Sequence, residues 1–221
     1  MNCNQVAVLI GAVDEAALAA VTEALEAGVA PELLLREGVI AGLARIGEKF
    51  EEEEYFLGEL IEGGMLAEKC IALIDPHLPK STAAPRGVVV IGAVQGDMHD
   101  LGYGLVAKQL ELVGYEVHTM GVDVAPLEFI EKAREVGADV IGLSAFLVTT
   151  VPKCLEVVKY LRDMGLRERF KVVIGGGVTT GELAEEIGAD GWAANAVEAV
   201  SLIENMLPQQ GAAGAREQAV D

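Results

Sequence analysis

The chain has 221 residues, which is enough for one large domain or two small ones. Its 52% content of hydrophobic residues excludes the disordered and collagen-like classes of protein. With 16 Lys and Arg against 35 Asp and Glu, the net charge is −19, and such a charge repels phosphate backbones and anionic membrane surfaces. Neither a nucleic acid nor a membrane is therefore expected as a partner.

The sequence also bears on cellular location. Its apolar runs are far shorter than the roughly 18 residues that a membrane-spanning helix needs. Segment 6–13 is similar to the core of a signal peptide, but no Lys or Arg precedes it and Asp14 and Glu15 follow it, which favours the first turns of a helix. The three cysteines lie far apart and include no CxxC pair, so neither a disulfide framework nor a zinc site is expected. A cytoplasmic protein with reduced thiols is predicted.

Residues 1–74 show only helical patterns. One helix is expected over 14–26, where apolar residues recur every three or four positions. Pro31 begins a second helix, whose apolar side continues to residue 50, and a third covers 55–74. With the leading segment this makes three or four helices, so an all-α bundle is predicted as the N-terminal domain.

A linker and a second domain follow. Segment 75–86 holds three of the seven prolines and is predicted to be an extended linker. From residue 87 to residue 208, strand and helix patterns alternate five times. The predicted strands are 87–94, 115–120, 140–144, 171–175 and 191–193, and the helices that follow them are 101–113, 126–136, 151–164, 180–187 and 195–206.

This alternation predicts an α/β domain with a doubly wound, five-stranded parallel sheet, because near-continuous Val and Ile strands are buried on both faces. A flavodoxin-like strand order, 2-1-3-4-5, is expected, and residues 209–221 are predicted to be a disordered tail. In such Rossmann-like sheets, ligands bind beyond the carboxyl ends of the strands, at the point where the strand order reverses.

One histidine near that point has an unusual setting. His99 stands two positions after Asp97, and a carboxylate that accepts one imidazole N–H fixes the tautomer and raises the basicity of the other nitrogen. A single histidine is too few for zinc, so the pattern fits a metal that brings most of its ligands with it, as in a macrocycle. A purely structural histidine is the alternative, and His77 and His118 are assigned that role.

Two further loops reach the same edge of the predicted sheet. Gly175, Gly176 and Gly177 would let the backbone approach a bulky ligand closely. A phosphate loop is the alternative, although neither GxGxxG nor GxxxxGK[ST] is present. Ser144 ends the third strand and could reach Asp97, His99 or the ligand, or be an ordinary serine at a strand end.

These residues together resemble a known family. The chain resembles cobalamin-binding domains, such as the cobalamin-binding module of methionine synthase, which share the signature DxHxxG…SxL…GG. The matching residues are Asp97-x-His99-x-x-Gly102, Ser144 and Gly175-Gly176. The helical half resembles the cap domain of the methyl-carrying corrinoid proteins. Further matching stretches are 26–28, 47–50, 55–57, 121–124, 143–147 and 187–191, and the resemblance covers nearly all of 10–207.

The resemblance implies a base-off cobalamin or related corrinoid. His99 would be the lower axial ligand of its cobalt, with Asp97 and Ser144 in a hydrogen-bonded relay behind it. Phe50 and Leu57 would cover the upper face of the corrin, although ordinary packing inside the bundle is the alternative. The predicted cofactor-binding residues are Asp97, Met98, His99, Asp100, Gly102, Ser144, Phe146, Thr149, Gly175, Gly176, Gly177, Phe50 and Leu57.

The sequence departs from the family pattern at two places. Phe146 stands where the SxL motif has Leu, and this change is expected to reshape the pocket for the nucleotide tail. Tyr103 and Gly104 stand where many relatives have Lys-Asn, which is expected to alter the surface that a partner meets. Neither change removes the predicted cobalt ligand.

The resemblance also implies a function. The protein would carry a methyl group, with cob(I)alamin becoming methylcobalamin, within a cytoplasmic, anaerobic methyltransferase system rather than as a stand-alone enzyme. Its expected partners are a substrate:corrinoid methyltransferase, a corrinoid:acceptor methyltransferase and a reductive activating protein. The acceptor would be tetrahydrofolate or coenzyme M, and the sequence does not select among methanol, methylamines, methoxylated aromatics, methylated sulfur compounds and betaines as donors. The alternatives are a cobalamin-dependent sensor, a mutase subunit and a cofactor-free flavodoxin-like module.

Overall fold

A computed structural model describes residues 2–78 and 85–207. The chain divides into two compact units, Met1–Lys80 and Ser81–Asp221. The predicted tail at 209–221 and part of the predicted linker lie outside the described residues. No helix in the described ranges is long and apolar enough to cross a membrane.

The first unit is helical, as predicted. Its first helix begins with a capping box, in which Asn2 and Gln5 exchange side-chain hydrogen bonds with each other's backbone N–H groups at 3.0 Å. The elements are α1 (Cys3–Gly11), α2 (Ala16–Glu26), α3 (Pro31–Leu33), a π-helical segment (Leu34–Ile40), α4 (Ala41–Glu51), α5 (Leu57–Ile74) and a 3₁₀ turn (Asp75–His77).

The predicted single helix over 31–50 is wrong in one respect, because its middle is π-helical. A π turn holds one residue more than an α turn and changes which side chains share a face. Here it brings the backbone close to α1, since a Cβ on Gly38 would lie 3.1 Å from Val6 Cγ1. Gly42 in α4 makes a similar approach, with a built Cβ only 2.6 Å from Ile10 Cβ. These glycines let α1 pack directly on the helical segment.

The second unit contains a five-stranded parallel sheet in the order β2-β1-β3-β4-β5, so the predicted strand order is confirmed. Most predicted elements have the predicted bounds or differ by one residue at each end. The elements are β1 (Val88–Ala93), α6 (Leu101–Leu112), β2 (Glu116–Thr119), α7 (Pro126–Val136), β3 (Val140–Ser144), a 3₁₀ turn (Val148–Thr150), α8 (Val151–Asp163), β4 (Lys171–Gly175), α9 (Gly181–Ile187), β5 (Gly191–Ala193) and α10 (Ala196–Met206).

Both faces of the sheet are covered by apolar side chains. On one face Phe129 and Leu161, from α7 and α8, pack in a cluster with Ile141 of β3. On the other face Leu110 and Ile203, from α6 and α10, pack in a second cluster with residues of β1 and β3. The loops at the strand ends are consequently the part of this unit that is free to carry a site.

Candidate functional site

The carboxyl ends of three strands lie side by side. Ala93 at the end of β1 pairs with Ser144 of β3, and Ser144 pairs with Gly175 of β4. The loops that follow β1, β3 and β4 therefore begin at one edge of the sheet, where the strand order reverses. These are the loops that carry the predicted site residues.

The loop after β1 starts with a tight turn. The Asp97 N–H donates to the Val94 carbonyl at 2.9 Å, and Gly96 at the third position has a φ of +87°. A type II turn requires such a positive φ at its third position, which glycine adopts without strain. The turn directs Asp97 into the protein, where it is fully buried.

Both carboxylate oxygens of Asp97 accept hydrogen bonds. Oδ1 lies 2.7 Å from Nδ1 of His99 and 3.1 Å from the backbone nitrogen of the same residue. Oδ2 accepts from the N–H groups of Phe146 at 2.6 Å and Leu147 at 3.2 Å. The Thr150 hydroxyl lies 3.0 Å from Oδ2 and 2.7 Å from the Leu147 carbonyl, so its proton lies between two acceptors and is drawn to the charged one.

These bonds hold Asp97 in its ionised form. Burial raises the pKa of the carboxyl, but the hydrogen bonds from Phe146, His99 and Thr150 outweigh burial, and the net pKa is lowered. Because an ionised carboxylate only accepts, the proton between it and His99 is on Nδ1. In the neutral imidazole, Nε2 then carries the free lone pair that binds a metal.

The imidazole of His99 is half exposed, with 49% of its side chain accessible. It lies against the ring of Phe146, with the two centroids 4.3 Å apart and the planes at 34°. Met98 and Val148, which are 68% and 74% exposed, add apolar surface in the same two loops. The imidazole is thus accessible at this edge of the sheet, with the ring of Phe146 beside it.

The structure corrects the predicted relay. Among the described residues, no hydrogen bond joins the Ser144 hydroxyl to Asp97. Ser144 is the last residue of β3, and its carbonyl accepts from the Val94 N–H at 3.0 Å. Thr150, six residues further on, is 3% exposed and occupies that position instead. The sequence offered one signal for it, namely a pair of threonines in the loop after the third strand. The neighbouring Thr149, which was predicted to bind the cofactor, is exposed.

The glycines at 175–177 differ in how much space a side chain at each position would have. Gly176 has a φ of +111°, and a Cβ there would overlap the Ala145 carbonyl, with its carbon at 2.7 Å. A Cβ on Gly177 would lie 2.9 Å from the ring of Phe146. The loop after β4 is therefore pressed against the loop after β3. Gly175 is less restricted, with Ala193 O at 3.3 Å from its built Cβ.

Two other predicted residues lie at the start of α6. Asp100 is the residue before the first turn of that helix, and its side chain makes no capping hydrogen bond. Gly102 is exposed and has no atom within 4 Å of a built Cβ, so the space beside it is open.

His118 lies on β2 and pairs with Glu116 at 2.8 Å. No cluster of three or more metal-ligating side chains is found in the part of the chain that the structure describes.

In the helical unit, the predicted Phe50 and Leu57 are 42% and 63% exposed. Ordinary packing inside the bundle, the alternative for these residues, is therefore wrong. Phe50 lines a shallow cavity of about 330 Å³ together with Glu53, Tyr55 and Phe56. Both predicted side chains therefore lie at the surface of the helical unit.

Models of known protein families match both units of this chain. A family model described as a B12 binding domain matches residues 87–201, which is more than half of the chain. The chain belongs to the family of B12-binding proteins. A second model, also described as a B12 binding domain, matches residues 5–74. Both units are therefore part of the B12-binding architecture.

Relatives of this B12-binding protein are corrinoid proteins. Dimethylamine corrinoid protein 3 of Methanosarcina acetivorans is 40% identical over 190 residues, which cover 85% of this chain and 89% of the relative. A corrinoid protein of Desulfitobacterium hafniense is 38% identical over 176 residues, which cover 78% of this chain and 82% of the relative. The solved monomethylamine corrinoid protein of Methanosarcina barkeri has 28% identity and a TM-score of 0.76, covering 93% of this chain and 98% of that one. These matches confirm the predicted resemblance, and the cofactor is a corrinoid.

The side chains present fit such a cofactor. The available donor is one imidazole whose Nδ1 contacts a buried carboxylate and whose Nε2 is left free, which suits a metal that brings a macrocycle of other ligands. The ring of Phe146 lies against that imidazole, and no atom lies within 4 Å of a Cβ built on Gly102. A metal held mainly by protein ligands would need several donors, and the described residues do not supply them.

Proposed function

We propose that this corrinoid protein is the methyl carrier of a multicomponent methyltransferase system and that Nε2 of His99 is the lower axial ligand of the cobalt. The observation that carries the proposal is the 2.7 Å contact between Nδ1 of His99 and the buried carboxylate of Asp97. When bound, the corrinoid supplies the cobalt on which the methyl group travels. The protein supplies the ligand, its orientation and the exclusion of water.

Each residue around the imidazole has a distinct role in this proposal. Asp97 holds the proton on Nδ1 and thereby keeps Nε2 as the metal ligand. Thr150 and two backbone N–H groups hold the carboxylate in place, which limits how far the imidazole can rotate. The ring of Phe146 restrains the imidazole from one side. The exposed Phe50 and Leu57 are proposed to shield the face of the corrin that carries the methyl group.

For the methyl donor we propose a methylated amine. Names of relatives at 36–40% identity support this class, since seven such relatives are named dimethylamine corrinoid proteins. The donor and acceptor reactions would belong to separate methyltransferases, with tetrahydrofolate or coenzyme M as the acceptor. A reductive activating protein would return oxidised cofactor to the cycle. Free thiols at all three cysteines fit the proposed cytoplasmic location.

The test of the ligand is H99A, with H118A as the matched control. Both remove an imidazole that contacts a carboxylate two residues away, at 2.7 Å for His99 and 2.8 Å for His118. After loading with hydroxocobalamin, H99A should lose the absorption of imidazole-bound cobalt and bind at least tenfold more weakly. H118A should match the parent protein in both respects. An unchanged spectrum in H99A would show that the ligand is another group.

The donor is tested by supplying the loaded, reduced protein with candidate methyltransferases and their substrates. Mono-, di- and trimethylamine are compared with methanol, a methoxylated aromatic compound and a betaine. Methylation of the bound corrinoid is followed by its visible spectrum, and transfer onward is measured with tetrahydrofolate and with coenzyme M. Methylation only from a non-amine donor would contradict the proposed donor class while leaving the carrier role intact.

A further inference from the structure

The loop that joins β2 to α7 lies beside the turn that carries Asp97. Strand β2 is the outer neighbour of β1, and the contact continues past the end of both strands. The Ala93 N–H donates to the Gly121 carbonyl at 3.0 Å, and the Val124 N–H donates to the Ala93 carbonyl at 3.1 Å. Val94 and Val124 form an isolated parallel bridge. The β2–α7 loop is thus fixed against the first residues of the site.

One residue of this loop contacts the turn twice. Asp123 accepts the Gly96 N–H on Oδ1 at 2.7 Å, and its own N–H donates to the Asp97 carbonyl at 2.9 Å. Asp123 has a φ of +55°, a conformation that asparagine and aspartate adopt more readily than most residues. In this conformation both the carboxylate and the backbone N–H of Asp123 contact the 94–97 turn.

We propose that Asp123 is a positioning residue for His99, an inference that rests on the proposed role of His99 as axial ligand. The turn at 94–97 sets where Asp97 and His99 lie relative to the sheet. Its central peptide is exposed, so without Asp123 the Gly96 N–H would turn to water and the peptide would be free to rotate. Rotation there moves Asp97 directly and shifts the imidazole that Asp97 holds.

Three substitutions separate the hydrogen bond from the backbone strain. D123N keeps an acceptor oxygen and tolerates the positive φ, so it should behave as the parent protein. D123G keeps the conformation but loses the acceptor. D123A loses the acceptor and adds strain, because alanine rarely adopts a positive φ. D139N is the control, since Asp139 accepts the Val88 N–H at 3.0 Å at the opposite end of β1.

The first measurement is made on the protein before loading, by ¹⁵N-edited NMR of its three imidazoles. The Nδ1 proton of His99 should give a downfield resonance that D123G shifts or broadens and D123N preserves. The His118–Glu116 pair, at 2.8 Å, gives an internal control that should not change. An unchanged His99 resonance in D123G would overturn the proposal, whatever the role of His99.

The second measurement is made after loading with hydroxocobalamin. D123G and D123A should bind about tenfold more weakly or worse, and a larger fraction of the bound cobalt should lack imidazole coordination. D123N and D139N should match the parent protein, and thermal unfolding verifies that each variant is folded. If H99A alters the spectrum and D123G does not, the inference about Asp123 fails while the proposed function stands. If H99A leaves the spectrum unchanged, the proposed assignment of His99 as the axial ligand fails, and the NMR result alone decides whether Asp123 positions His99.

Discussion

The Thr150 hydroxyl lies 3.0 Å from Oδ2 of Asp97, although 53 residues separate the two along the chain. Both side chains are almost inaccessible to water, at 3% and 0% exposure. The contact ties the loop after β3 to the loop after β1. With the N–H groups of Phe146 and Leu147, which also donate to Oδ2, it connects two loops that local sequence patterns treat as independent.

Replacing this hydroxyl should be costly even without a cofactor. T150A leaves a buried, charged acceptor with one donor fewer, so we expect the free energy of unfolding to fall by about 1.5–3 kcal/mol. Denaturant unfolding of the unloaded protein measures this loss. T150S, which retains the hydroxyl, should recover most of it. S144A serves as the control and should change the free energy of unfolding by less than about 0.5 kcal/mol. A larger loss in S144A than in T150A would show that Ser144, and not Thr150, is the hydroxyl that supports Asp97.

Two glycines of the site should respond in opposite ways to alanine. G176A forces a side chain into the Ala145 carbonyl at a φ of +111°, so a loss of at least about 2 kcal/mol in unfolding free energy is expected. G102A meets no atom within 4 Å and lies in the first turn of α6, where alanine is the better helix former, so the unloaded protein should be unchanged or more stable by up to about 1 kcal/mol.

The same G102A variant also tests the cofactor-binding role of Gly102. If the open space beside it receives the corrinoid, hydroxocobalamin should bind more weakly to G102A despite the intact fold. Unchanged affinity in G102A would remove Gly102 from the set of contact residues.

Asp190 should make the stability of the sheet unit depend on pH. Burial raises the pKa of its carboxyl, but hydrogen bonds from the Val172 N–H, Arg167 and Lys171, at 2.8, 2.7 and 3.1 Å, outweigh burial and lower it. Because the folded-state pKa is below that of the unfolded chain, about 3.9, this stabilisation is complete above that value and is lost as the pH falls through the folded-state pKa.

D190N measures this contribution. It should lower the free energy of unfolding by about 1–3 kcal/mol at pH 7. Below about pH 4 the free energies of unfolding of D190N and the parent protein should become more similar. Urea unfolding across that pH range provides the measurement. A difference that stays constant down to pH 2 would show that the charge of Asp190 is not the source of the stabilisation.

Phe50 and Leu57 should matter for the bound methyl group and not for folding. Neither lies in the interior of the helical unit, so F50A/L57A should leave that unit folded, with a loss in the free energy of unfolding of no more than about 1–2 kcal/mol per substitution. If these side chains shield the upper face of the corrin, the double variant should lose its methyl group faster on illumination while still binding corrinoid. Photolysis at an unchanged rate would show that they lie elsewhere.

The sequence predicted the sheet well because its signals are repetitive. Buried Val and Ile runs alternate with helices that end at glycines such as Gly137 and Gly188, and these signals lead directly to a doubly wound sheet. The contact of His99 with Asp97 was also predictable, since only two residues separate them. Local spacing alone was sufficient in both cases.

Other features depend on distances that spacing does not encode. Ser144 is the last residue of β3 and Thr150 lies in the loop that follows, and only the path of that loop determines which hydroxyl reaches Asp97. The π-helical segment was missed because its apolar residues also fit an α-helical pattern. The two contacts of Asp123 depend on how the β2–α7 loop continues past the predicted pairing of β1 with β2 and on a positive φ, and the local sequence pattern encodes neither.

Phe146 contacts the Asp97–His99 pair in two chemically separate ways. Its backbone N–H binds the carboxylate at 2.6 Å, and its ring lies 4.3 Å from the imidazole while also filling the space beside Gly177. Any residue other than proline can supply the N–H, whereas the ring can be exchanged without cutting the carboxylate network. Substitutions at position 146 can thus change the surroundings of the proposed metal ligand, His99, while the hydrogen bonds to Asp97 stay intact. A smaller side chain there would also free position 177 from the need for glycine, so the two positions should vary together.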